Sequence, residues 1–131
     1  MRISFIEHGN ARVAVLDFTN VKDDAIAIAV TDEARFAIAR EEPKSIYTLT
    51  DVSGSPVTPV VRAALQRLTR ANEPYVIAGA VVGLSTFQTV LFRTIVQITK
   101  RRLVAVRTRE EGLAWIAQEF AEAARSEYVG G

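Results

Sequence analysis

Ile46-Tyr-Thr-Leu-Thr-Asp-Val-Ser-Gly-Ser-Pro-Val-Thr-Pro-Val60 passes from a strand into a helix through one small-residue turn. Its first half is rich in β-branched and aromatic residues, which suit a pleated, half-buried surface. Asp51-Val-Ser-Gly54 then gathers turn formers. Thr58-Pro59 opens a helix, because threonine can cap it and proline at the first helical position lacks only an N–H that has no partner there. In an open α/β sheet, such a strand–turn–helix corner at the carboxyl edge is where ligands and partners usually engage.

Outward from that corner, the chain alternates between two periods. Ile3 to Glu7 and Arg12 to Phe18 are strand-like runs parted by His8-Gly-Asn10, which reads as a hairpin because Gly-Asn tolerates positive φ. Arg12 to Phe18 is nearly continuous in apolar character, as a strand covered on both faces would be. From Asp23 or Asp24 to about Arg40, the residues Ile26, Val30, Ala34, Ala37 and Ile38 recur at helical spacing, with Ile28 and Phe36 off the stripe. Thr31-Asp32 leaves open one helix or two. Glu41-Glu-Pro43 stops it. After the strand Ser45 to Val52, a helix from Pro59 to Arg70 offers Val61, Ala64, Leu65 and Leu68 as its buried face.

Tyr75 to Gly83 is the most strand-like run in the chain. Ser85-Thr-Phe-Gln88 forms a capping box for a helix to about Lys100. That helix places Phe87, Val90, Leu91, Ile95 and Ile98 on one side, with Phe92 and Val96 as a surplus beyond it. Leu103 to Arg107 is a fifth strand. Thr108-Arg-Glu-Glu111 is a second capping box, for a last helix to about Glu127 with Leu113, Ile116, Ala117, Phe120 and Ala124 inward and Val129-Gly-Gly131 as a frayed end. The expected architecture is therefore α/β: a mixed, mainly parallel five-stranded sheet with four helices in the order β-β-α-β-α-β-α-β-α. With 131 residues and no linker or repeat, residues 1–131 are expected to form a single domain.

The order of elements resembles the STAS fold of anti-sigma-factor antagonists. Three stretches more closely resemble the SpoIIAA-like family of small bacterial proteins, the STAS/SEC14 or CRAL-TRIO-like group. They are Ser45-Ile-Tyr-Thr-Leu-Thr-Asp-Val-Ser-Gly54, Ala80-Val-Val-Gly-Leu-Ser-Thr-Phe-Gln88 and Thr108-Arg-Glu-Glu-Gly-Leu-Ala-Trp-Ile116. Most relatives of that kind have no assigned activity. In the wider STAS class an Asp-Ser-Ser-Gly turn precedes the second helix, and a partner kinase phosphorylates its second serine. The resemblance thus implies Ser53 as a phosphoacceptor with Asp51 as the neighbouring carboxylate, although Val52 replaces the first serine and the helix starts only at Thr58-Pro59. The SEC14 side of the family implies an apolar ligand pocket.

Asp51, Ser53, Gly54, Ser55 and Thr58 are therefore the expected phosphorylation or docking loop, against the plainer reading that turn formers merely satisfy local backbone groups. Phe87, Leu91, Phe92 and Val96, with Trp115 nearly opposite its own helix's inner face, are the expected apolar interface or ligand surface. Both a homodimer and a lipid-like ligand are open there. The plainer alternatives are a third helix buried nearly all round and a tryptophan lying along its own helix.

Several function classes lack a signature. Zero cysteines exclude disulfides, thiolate metal sites and cysteine nucleophiles. His8, the one histidine, cannot make a zinc site alone and has no identifiable triad partners. Ala78 to Gly83 contains neither a G-x-G-x-x-G nor a P-loop. Lys100, Arg101, Arg102, Arg107 and Arg109 cluster in sequence, but the formal charge is only +1 and no aromatics interleave, so nucleic acid is not the expected partner. No run approaches the ~18 apolar residues of a membrane span, and no leader is evident. The expectation is a cytoplasmic, non-enzymatic regulatory domain with no cofactor or metal, whose partner is a protein such as a kinase or an anti-sigma-like factor.

Overall fold

The computed structural model describes residues 2–130, which form β1 (Ile3–His8), β2 (Ala11–Asp17), α1 (Asp24–Ile38), β3 (Ile46–Asp51), α2 (Pro59–Asn72), β4 (Val76–Val82), α3 (Thr86–Thr99), β5 (Leu103–Val106) and α4 (Arg109–Gly130). The order of elements and the α/β class are those expected. The strands pair in chain order, β1-β2-β3-β4-β5. Gly9-Asn10 returns the chain antiparallel from β1 into β2, and every later pair is parallel. Thr31-Asp32 does not break α1, since the Thr31 hydroxyl donates to the Ile28 carbonyl inside one continuous helix. α4 runs past the expected stop to Gly130, and Gly131 lies outside the described residues.

Each face of the sheet has its own core. On one face Ala14, Leu16 and Ile46 pack with Val30, Ala34 and Ile38 of α1 and Leu68 of α2. On the other, Val13, Val15, Tyr47, Leu49, Ala78, Ala80 and Val82 pack with Ile116 of α4. Alternation along each inner strand explains why β2 reads as almost wholly apolar. The expected stripe of α1 is displaced at its start: Ala27 is buried and Ile26 is exposed.

α4 is rotated relative to its expected face. Gly112 is buried and Leu113, Trp115, Ile116 and Phe120 pack inward or half inward, whereas Ala117 and Ala124 are exposed. Gly112 explains the rotation. A Cβ there would lie 2.5 Å from the Leu49 Cδ1, so its hydrogen lets the helix backbone sit directly on β3. Trp115, expected to point outward, lies half-buried against this second core.

Tyr47 is the largest side chain sealed in this layer, its ring meeting Phe120 edge-on with centroids 6.3 Å apart. Its hydroxyl is buried with no hydrogen-bond partner. Burial, then the nearby Glu119 carboxylate, push the phenol pKa up. A desolvated, unbonded hydroxyl costs stability. Tyr47→Phe is therefore expected to raise stability by about 1 kcal/mol, read as a higher midpoint in urea unfolding at unchanged slope. A loss of stability would show that the hydroxyl is bonded after all.

Candidate functional site

The carboxyl ends of β2, β3 and β4 lie side by side, and the loops that follow them meet there. Asp17 and Asp51 are register partners across the β2–β3 pair, so two neighbouring strands end in carboxylates. Arg109, the first residue of α4, spans both. Its Nε donates to Asp51 Oδ2 at 2.7 Å, and its Nη2 lies 3.6 Å from Asp17 Oδ1. Asp51 is only 6% exposed, where an unpaired carboxylate would be costly. Burial works to raise its pKa, but Arg109 and Ser53 outweigh burial and hold the carboxyl below its ordinary value. At Asp17 burial is likewise overcome, by the Thr19 hydroxyl and N–H and then by Arg109 and Arg2.

The β2–α1 and β3–α2 loops are zipped together above these strand ends. Phe18 N–H donates to Asp51 O at 2.8 Å and Asn20 N–H to Ser53 O at 3.0 Å. The Ser55 hydroxyl donates to the Phe18 carbonyl and accepts from Val21 N–H at 2.7 Å. Lys22 Nζ donates to Gly54 O at 2.6 Å. Thr58 caps α2 by accepting from Val61 N–H, and its hydroxyl donates to Asp24 at 3.0 Å.

The structure thus sorts the expected loop residues. Asp51, Ser55 and Thr58 are committed to internal bonds. Gly54 is exposed, and Ser53 is half-buried, with its N–H donating to Asp51 Oδ1 at 3.0 Å. Ser53 sits against Gly83 at the end of β4, whose φ of +91° lets the two turns touch. Helix α2 begins at Pro59, just beyond the corner.

Sequence reasoning missed Arg109 and Asp17 as parts of this corner. A signal for Arg109 existed. A cation in the first turn of a helix opposes the macrodipole, so an arginine there calls for an acidic partner elsewhere. The supposed basic cluster is dispersed by the fold: Arg102 pairs with Glu119 and Glu122, Arg101 donates to Thr69 O, and Arg109 turns to the two aspartates. His8 closes β1 beside the hairpin turn.

The second candidate surface is divided between two sides of its helix. Phe92 and Val96, expected as the surplus, are half-buried and form the inward side of α3 together with Gln88 and Thr89. Phe87 and Leu91 of that expected surface are exposed, as are Val90, Ile95 and Ile98 on the same side, and α3 has no buried residue. Nor is α3 buried all round, the plainer alternative. Trp115 lies elsewhere, in the α4 core, so these five expected surface residues do not form one patch. A cleft of about 20 Å³ between α1 and α2, lined by Thr31, Asp32, Arg35, Ala64, Arg67 and Leu68, has room for a water but not for a lipid chain. Among the described residues no helix is long and apolar enough to cross a membrane, and no group of three or more His, Cys, Asp or Glu side chains converges.

No protein-family model matches the chain, and no curated protein matches it in sequence. Among solved structures it is similar to an uncharacterised protein of the DUF3478 family with a SpoIIAA-like fold, from Shewanella loihica PV-4. The two are 13% identical, with 86% of this chain and 90% of that one covered and a TM-score of 0.63. At that identity the likeness is one of fold.

Proposed function

From a SpoIIAA-like fold with its accessible corner at the carboxyl edge of β3, we propose a non-enzymatic regulatory domain that docks a protein partner through the Asp51–Thr58 loop. Ser53 is its phosphoacceptor. The observation that carries this reading is the placement of Ser53 and Gly54. Gly54 is exposed and Ser53 half-buried in a loop whose backbone and remaining polar side chains are held by internal bonds, so a modification at Ser53 would change the surface while those bonds keep the corner folded. A phosphate carries about −1.5 to −2 charges. Set beside the Asp51 carboxylate, it competes for Arg109 and attracts Lys22, and the loop presents a different charge to its partner.

Incubation of the full chain with ATP and serine kinases, followed by intact-mass and peptide mass spectrometry, tests the proposal. One phosphate is expected at Ser53, and Ser53→Ala is expected to abolish it with melting unchanged. Modification confined to other residues would remove the switch. A CRAL-TRIO-like ligand pocket draws no comparable support. A helix roofing an apolar chamber would shield its inner side chains, and α3 buries none of its own.

A further inference from the structure

The outward face of α3 is apolar along most of its length. Phe87, Val90, Leu91, Thr94, Ile95 and Ile98 all point away from β5, with Phe87 72% and Ile98 76% exposed. Their positions are symmetric about the midpoint between residues 92 and 93. Reversing the helix exchanges 87 with 98, 90 with 95 and 91 with 94. Phe87, Leu91, Thr94 and Ile98 follow the four-three-four spacing of a helix–helix seam, with Val90 and Ile95 flanking it. In an antiparallel pair about a two-fold axis, Phe87 therefore packs on Ile98 of the second copy and Leu91 on its Thr94. We propose that the protein is a homodimer joined by antiparallel pairing of α3 with α3.

Three further observations favour a second copy over another occupant. The first is charge: residues 75–108 contain no Asp or Glu, and Arg93 is the one ionisable side chain within α3. At about 100° per residue, Arg93 falls well off the seam, so pairing two copies buries no like charges. The second is satisfaction of polar groups. The Thr94 hydroxyl, the one polar group on the seam, already donates to Val90 O at 3.1 Å within its own helix. It brings no unpaired donor into a dry interface. The third is area. The exposed apolar side chains amount to on the order of 500 Å² per copy, near the top of the ~300–600 Å² of a monomer's largest patch. With a polar rim this approaches the ~800 Å² per partner of a stable interface. A C2 contact also requires one patch to complement itself, which the symmetric spacing supplies.

Sedimentation velocity of the full chain from about 1 to 100 µM is expected to return a dimer mass at the upper end. Phe87→Glu combined with Ile98→Glu places like charges opposite one another across the seam and should leave a monomer throughout. Both sites are mostly exposed, so circular dichroism should be unchanged. Phe87→Lys combined with Ile98→Glu places opposite charges across the antiparallel seam and should restore the dimer. A wild-type monomer at about 100 µM would overturn the proposal. So would a dimer that survives the double glutamate variant, or a lysine–glutamate variant no tighter than it. Since Ser53 lies outside α3, failure of this dimer leaves the phosphorylation result untouched.

Discussion

Gly83→Ala is expected to lower stability by about 3 kcal/mol, a fall in melting temperature of roughly 10 °C for a chain of this size. Two costs combine. At φ +91° an alanine is strained, worth about 1–2 kcal/mol. The added methyl would also lie 2.7 Å from Ser53 N and 2.8 Å from Ser53 Cα. Those are main-chain atoms held by Asn20 N–H on one side and Asp51 on the other, so they cannot swing aside as the end of a long side chain would. Overpacking of that kind adds about 1–3 kcal/mol. The damage should be local to the corner. Hydrogen exchange at the Ser53 and Asn20 amides is expected to speed up beyond the global change, because relief of the overlap moves Ser53 off Asp51. A melting temperature within a degree or two of wild type would mean that the β4 turn does not rest on the β3 turn.

The alternation of elements was legible because each signal is local. Strand runs, caps and stops lie within a few residues of the structure they dictate. Thr58 and Ser85 cap α2 and α3 as their spacing indicated. At α4 the capping box is half-formed: Thr108 accepts from Glu111 N–H, but the Glu111 carboxylate reaches Arg107 N–H, one residue too early. Orientation was less legible. α3 carries apolar residues on two opposite sides, and periodicity counts them without saying which side the sheet claims. The expected surface drew Phe87 and Leu91 from one side and Phe92 and Val96 from the other, and only the fold shows that Phe92 and Val96 are the pair turned inward. An apolar face left outside is information about association rather than about the monomer's core. The same limit applied to α4, where a glycine, which carries no hydrophobic signal at all, marks the closest approach to the sheet.

The corner itself was half legible. Asp51, Ser53 and Gly54 stood out as turn chemistry, but their partners come from far along the chain, Arg109 lying 58 residues from Asp51. Local patterns cannot report such a pair. That long-range contact makes a second test of the corner possible, and its effect depends on pH.

Arg109→Leu is expected to cost about 2 kcal/mol at pH 7. Removing one partner of a buried ion pair commonly costs about 3–5 kcal/mol. The Arg109 side chain is 42% exposed, so solvent already screens part of its interaction and the lower figure is appropriate. The loss falls mainly on Asp51, since Asp17 keeps Thr19 and Arg2. In the native protein the Asp51 pKa is depressed below its reference value of 3.8. Its stabilisation is therefore fully present above about pH 4 and disappears as the pH falls through the folded value. In the variant, burial is opposed only by Ser53, and the carboxyl pKa should rise. The gap between wild type and variant should thus be widest at neutral pH and close below pH 4. Asp51→Asn in the same background removes the stranded charge and should recover part of the loss. A double-mutant cycle with a coupling energy of at least about 1 kcal/mol at pH 7, shrinking as the pH is lowered below 4, is the expected result. A pH-independent penalty would mean that Arg109 contributes packing rather than charge, and the carboxylate beside Ser53 would then have to be held by something else.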